Sequence, residues 1–174
     1  MDIYQIFSII ILDNNGKRLC SLFYEPIGEP EKIKFEKEVF EKSKGSNCEL
    51  DIIQNRIIIG SKQSDVWVYV VGKSLESNEL ILLDVLNVLI SLFKKACTNN
   101  ETVMVTKKLF LENFSTIKLY IDEVVADGVV FETDEDTILN RVPLQDQALN
   151  DLQTGIELVK EKFSLSSLYS FTRS

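Results

Sequence analysis

The sequence predicts a single α/β domain with the element order ββαβββαα followed by further helices, and three observations predict it. Two segments are apolar on both of their alternating faces, short polar turns separate neighbouring strands, and long stretches repeat apolar residues every three or four positions. In Ile3 to Leu12, Ile3, Phe7, Ile9 and Ile11 oppose Tyr4, Ile6, Ile10 and Leu12, the pattern of a central strand covered on both sides. Asp13-Asn14-Asn15-Gly16 supplies a hairpin turn, and Lys17 to Tyr24 returns as the second strand. Pro26, Gly28 and Pro30 end that sheet segment. Ile33, Phe35, Val39 and Phe40 then place a first helix over Glu31 to Lys44, with Gly45 as its stop. Three short strands follow at Glu49 to Ile53, Arg56 to Gly60 and Val66 to Gly72, joined by connections short enough to make antiparallel neighbours.

Ser77 to Cys97 is the most informative segment. At about 100° per residue, Asp84, Asn87, Ser91, Lys94 and Lys95 share one narrow arc, and well over half of the helix circumference is apolar. One sheet face cannot cover that much, so this helix is expected to be sandwiched by a second helix or by another protein. A second helix is expected over Thr106 to Ala126, where Phe110, Phe114, Ile117, Ile121 and Val124 recur at helical spacing and Gly128 ends the run. Thr133-Asp134-Glu135-Asp136 reads as the capped start of a short helix toward Arg141, stopped by Pro143. Beyond it, Leu149, Leu152, Ile156, Val159 and Phe163 form a narrow coiled-coil-like stripe, interrupted by Gly155. These boundaries give a domain over residues 1–142 and an amphipathic helical extension over residues 143–174. The stripe either folds back on its own domain or lies in a groove of a partner, and its five apolar residues are the candidate partner interface.

Composition narrows the function. With 174 residues, 45% of them hydrophobic and 26% charged, the chain can bury a sizeable core without metal or disulfide. Its 27 acidic against 19 basic residues give a net charge of −8, which repels nucleic-acid phosphates and anionic lipid alike. Nucleic-acid binding is not expected, and membrane association is expected only through a partner. Cys20, Cys48 and Cys97 are far apart, without a CxxC pair, and fit reduced thiols in the cytosol. The start lacks a basic n-region, and the longest apolar stretch, Leu80 to Phe93, is broken by Asp84, Asn87 and Ser91, so neither a signal peptide nor a membrane span is expected.

Catalytic chemistry finds little support. The chain has no histidine, which removes the commonest general base and every Ser-His or Cys-His pair. Gly72-Lys73-Ser74 imitates the end of a phosphate-binding loop, but Trp67 stands where that loop needs its first glycine. The acidic run Glu132 to Asp136 lacks the glycine and terminal glutamate of a calcium loop and reads as a helix N-terminus. Asp122 and Glu123 are helix neighbours that do not face each other. Trp67 reads as core, and the cysteines as inert thiols without a basic neighbourhood. No catalytic, cofactor-binding or metal-binding set is therefore expected, and the chain reads as a non-enzymatic interaction domain.

Taken in order, ILDNNGKRL at Ile11 to Leu19, KFEKEVFEKS at Lys34 to Ser43, DVWVYVVG at Asp65 to Gly72, NELILLDVLNVLISLF at Asn78 to Phe93 and IDEVVADGVVFETDEDTILNRV at Ile121 to Val142 resemble the zeta small-chain family of coatomer, the COPI vesicle coat. The resemblance extends more distantly to the sigma small chains of clathrin adaptors. It runs nearly end to end, departing at Ala126-Asp127-Gly128, where the family tends toward Asp-Gly-Gly, and over Pro143 to Asp151. It implies a longin-like fold, with a five-stranded antiparallel sheet, one helix on one face and the long helices on the other. It also implies a lasting pairing with the trunk of the coatomer gamma subunit, inside a cytoplasmic complex recruited to Golgi membranes by an Arf-family GTPase for Golgi-to-ER and intra-Golgi transport. The alternatives are a clathrin-adaptor sigma chain, a longin fusion protein, which carries a heptad segment and usually an anchor after this domain, and a small-molecule sensor. The sensor needs a polar pocket between sheet and helices, where the sequence offers only apolar material.

Overall fold

The computed structural model of the chain describes residues 4–43, 48–98 and 104–142. Its centre is a pair of strands, β1 (Ile6–Asp13) and, further along the chain, Val66–Gly72, in which every residue is buried. Between them in sequence come β2 (Arg18–Phe23), α1 (Glu29–Lys42), β3 (Cys48–Ile53) and β4 (Arg56–Gln63), which makes Val66–Gly72 the fifth strand, β5. The strands form one sheet in the order β2-β1-β5-β4-β3, and every neighbouring pair is antiparallel. The expected five-stranded antiparallel sheet is thus present.

Alternation sends Trp67, Tyr69 and Val71 to one face of β5 and Val66, Val68 and Val70 to the other. The first set shares a core with Phe35 and Val39 of α1 and with Ile10, Leu12, Ile53 and Ile58. Phe7 joins that core too, which corrects the simple alternation read from the sequence. The β1–β5 register shifts between Ile6 and Ser8, and this bulge carries Phe7 to the same side as Ile10. Phe7, Phe23 and Phe35 then meet edge to face, with ring centroids 5.6 to 6.4 Å apart.

The opposite face carries α2 (Glu79–Cys97), which packs on β5 and β4. Asn78 caps it by accepting a hydrogen bond from the Leu80 amide at 2.9 Å. Its buried residues, Leu82, Val85, Leu86, Leu89, Ile90, Leu92 and Phe93, span more than the sheet side alone, and two further helices cover the remainder. These are α3 (Lys107–Glu112) and α4 (Phe114–Val124). The expected single helix over Thr106 to Ala126 is therefore broken at Asn113, whose φ of −110° and ψ of 20° leave the helical region. It also ends earlier than expected. Val125–Ala126 and Val129–Val130 form a small hairpin, β6 and β7, and Gly128 is a turn residue at φ +79° where a helix stop was expected. The hairpin docks on the sheet, because the Ile6 amide donates to Gly128 O at 2.7 Å and the Val130 amide to Tyr4 O at 2.9 Å.

Other boundaries move for identifiable reasons. Helix α1 begins at Glu29 and includes Pro30, which needs no amide partner in a first turn. Strand β4 runs to Gln63, since Ser61, Lys62 and Gln63 still pair with Val68, Trp67 and Val66. Gln54 and Asn55 both take positive φ in the two-residue turn between β3 and β4. A further helical stretch covers residues 135–142, with the Asp134 carboxylate accepting from the Thr137 amide at 2.8 Å. The chain divides into two units, Met1–Ile138 and Leu139–Ser174, and only residues 139–142 of the second are among those described.

Buried carboxylates pin the elements together. Glu36 of α1 receives the Arg18 Nε of β2 at 2.9 Å. Asp13, only 4% exposed, accepts from the Asn15 and Lys17 amides at 2.9 Å each and from Lys107 Nζ at 2.8 Å. Burial by itself pushes the Asp13 carboxyl up, but the Lys107 hydrogen bond, the two amides and the Lys107 charge outweigh it and hold the group below its ordinary range. The sign follows from linkage. The stability that Asp13 contributes is present above the ordinary aspartate value of about 3.9 and is lost as pH falls through the lower folded value. Acid unfolding of Asp13→Asn, followed by circular dichroism, is expected to depend less on pH below about 4 than that of the wild type. A second expectation concerns Gly60, where an added Cβ would stand 2.4 Å from the buried Tyr69 ring. Gly60→Ala is expected to cost about 1–3 kcal/mol, seen as a lower urea midpoint at unchanged slope.

Candidate interaction surface

The helix that looked too apolar for one sheet face is where an interaction surface starts to be visible. Asp84 and Asn87 are exposed, as their shared arc requires, but so are Leu80, at 70%, and Leu83 on the same half of α2. Ser91 and Lys95 of that arc are half-buried because Glu135 lies over them. Ser91 Oγ donates to Glu135 Oε1 at 2.8 Å, and Lys95 forms an ion pair with the same carboxylate. Burial raises the Glu135 carboxyl, and the hydrogen bonds from Lys95 and Ser91 bring it below its ordinary value.

Apolar side chains are also exposed elsewhere, including Ile33 on α1, Leu75 before α2, Met104 before α3, and Leu111 and Phe114 on either side of Asn113. Leu50 and Ile52 stand out from the edge strand β3, on the sheet face that α2 occupies, because they pair with Ile59 and Ile57. At the opposite end, Val129 and Phe131 flank the β6–β7 hairpin, beside Tyr4. The β3 edge is partly blocked: the outward amide of Ile52 donates to its neighbour Asp51 at 2.7 Å, and its carbonyl accepts from Lys42 Nζ at 3.0 Å. Such blocking discourages indiscriminate strand pairing while leaving the side chains free for a specific partner.

The residues that the sequence offered for chemistry have structural roles. Gly72 ends β5 against Ser77, and Lys73 turns to Gln5 Oε1 at 2.6 Å. Asp122 pairs with Lys118 one helical turn back at 3.0 Å. Trp67 is buried and stacks on Tyr69 with centroids 5.7 Å apart. Burial pushes the thiols of Cys20 and Cys97 up, for Cys20 against the nearby Lys118 charge. Among the described residues, open clefts of about 390 and 370 Å³ indent the surface. One lies between α2 and Glu135. The other lies beside α1, with Glu31, Lys34, Gln54 and Arg56 around Phe7 and Phe35, so polar groups do reach the edge of the sheet–helix seam, contrary to the sequence expectation. Its polar lining comes from Glu31 and Lys34 of α1 and from Gln54 and Arg56 at the β3–β4 turn. Leu149, Leu152, Ile156, Val159 and Phe163 lie outside the described residues.

The arrangement thus combines a saturated core with scattered exposed apolar side chains and paired charges, which suits contact with protein. The sequence pattern of the clathrin adaptor complex small chain family matches residues 5–149. The chain belongs to the clathrin adaptor complex small chain family. Within it, the protein described as "Probable coatomer subunit zeta-B" of Dictyostelium discoideum is 66% identical over 165 residues, covering 92% of this chain and 93% of that one. Coatomer subunit zeta-1 of Homo sapiens is 32% identical over 168 residues, covering 91% and 92%. These matches place the chain among the coatomer zeta proteins of the small chain family. A chain of the structure titled "Homology model of the full-length AP-3 complex in a stretched open conformation" shares the fold, with a TM-score of 0.64 at 16% identity over 86% of this chain and 98% of that chain.

For this small chain, the burial of its thiols predicts slow modification. Iodoacetamide at pH 8 is expected to label Cys20 and Cys97 more slowly in the native protein than in the urea-unfolded chain, as read by peptide mass spectrometry.

Proposed function

We propose that the chain is the structural small subunit of the COPI coat, coatomer, and acts without catalysis in Golgi-to-ER and intra-Golgi vesicle transport. The 66% identity to a coatomer zeta protein over 92% of the chain carries this reading. The partner is the trunk of the coatomer gamma subunit, and the rest of coatomer is bound through it. The protein is cytoplasmic and reaches Golgi and vesicle membranes only within that complex, with an Arf-family GTPase acting on the assembly. Among the described residues no helix is long and apolar enough to cross a membrane, and the net charge of −8 gives anionic lipid little to attract.

The physical support is the surface. A lasting subunit pairing buries roughly 2,000 Å² or more, and the exposed leucines of α2 and β3 are the kind of surface such a pairing covers. The division into a longin-like domain over residues 1–142 and an extension over residues 143–174 belongs to the same proposal. In it, Leu149, Leu152, Ile156, Val159 and Phe163 are an additional anchor for the partner.

Co-expression with the gamma trunk tests both parts. Stoichiometric co-purification is the expected result, and recovery with clathrin-adaptor large chains in its place would overturn the assignment. Replacing both Leu152 and Ile156 by Asp is expected to lower the recovery of gamma at least roughly tenfold if the stripe is an anchor, with the thermal melt of the small chain unchanged.

A further inference from the structure

The short helix α3 is held differently from its neighbours. Six residues cannot sustain a helix alone, since isolated helices below about 12–15 residues are marginal in water. Helix α4 buries Ile117, Tyr120, Ile121 and Val124, whereas α3 buries only Phe110. That ring sits edge-on to Phe93 of α2 at 5.9 Å and to Phe114 at 6.0 Å. Asn113 separates the two helices with a non-helical backbone, so α3 can move without unwinding α4.

Beside the buried Phe110 ring, α3 is fixed in place by polar contacts at its first residue. The Lys107 amide donates to Asp65 Oδ1 at 2.6 Å, and the Lys107 ammonium donates to Asp13 Oδ2 at 2.8 Å. One residue is thereby tied to the β1–β2 turn and to the β4–β5 turn together. The Asp13 side chain is almost fully buried, whereas Lys107 is 40% exposed, so the tie has a protected anchor and an accessible key.

We propose that α3 is a latch over the C-terminal half of α2, opening by unwinding as far as Asn113 and locked shut by Lys107 against Asp13 and Asp65. Opening uncovers Phe93, which is 1% exposed in the closed state, and adds apolar surface on the C-terminal half of α2. The small chain therefore has a closed face and an open face, and the charge on Lys107 sets the balance between them.

Amide hydrogen exchange on the full-length chain tests this. The amides of Phe110 and Asn113, which donate to Thr106 O at 2.9 Å and Leu109 O at 3.1 Å, report the closed latch. In the wild type they are expected to exchange through a denaturant-independent local opening, with less protection than Ile121 or Val124 of α4. Lys107→Met keeps the bulk and removes the charge, and it is expected to speed exchange at Phe110 and Asn113 roughly tenfold while β1 and β5 stay unchanged. Asp13→Asn, which still accepts the Asn15 and Lys17 amides, is expected to do the same more weakly. Unchanged rates at Phe110 and Asn113 in both variants, or equal acceleration throughout β1 and β5, would overturn the latch.

Discussion

Everything in this molecule is organised by the pairing of β1 with β5, two strands so apolar that both of their faces must be covered. A sheet with one wet face would leave Ile9, Ile11, Val68 and Val70, or else Ile10, Leu12 and Tyr69, in water. At about 25 cal/mol per Å² of apolar surface, that exposure would cost about as much as the whole net stability of a typical domain, which is roughly 5–15 kcal/mol. Two helical layers are the consequence. Helix α1 suffices on one side because its core-facing stripe, Phe35 and Val39, is narrow. The other side receives α2, whose own apolar circumference is too wide for a single sheet face and draws in α3 and α4 as a third layer.

The layers are registered by charge as well as by apolar contact. Asp13 and Glu36 are carboxylates taken out of water and Glu135 is half-buried, and each has a cationic partner on a different element: Lys107, Arg18 and Lys95. Buried pairs of this kind add little net stability over an apolar replacement, but removing one partner strands the other. Their use here is to fix positions. Arg18 sets where α1 lies on β2, Lys107 where α3 begins, and Lys95 where the stretch at Glu135 crosses α2.

A small coat subunit needs the combination that results. Among the described residues the core is filled by the chain's own side chains, and exposed apolar groups lie at several separate places, among them the N-terminal half of α2, the edge of β3, the β6–β7 hairpin and the junction of α3 with α4. Apolar surface at separate points of a rigid block suits a large partner that touches it in several places.

The sequence alone determined the strands, the turns between them, the first two helices and the capped start at Asp134, because each follows from local periodicity or from one side chain reaching a nearby amide. It also determined that α2 had to be covered twice, since the width of an apolar arc is countable from residue spacing. Only the tertiary structure decided that Phe7 crosses to the face of α1, that Thr106 to Ala126 breaks at Asn113, and that Val125 to Val130 becomes a hairpin. In each of these the local pattern suits two conformations, and a distant partner chooses: Val71 across the bulge, Asp13 and Asp65 holding Lys107, Tyr4 and Ile6 pairing with the hairpin. The tie of Lys107 to Asp13 spans 94 positions and those of the hairpin to Tyr4 and Ile6 span more, so no window of sequence contains them.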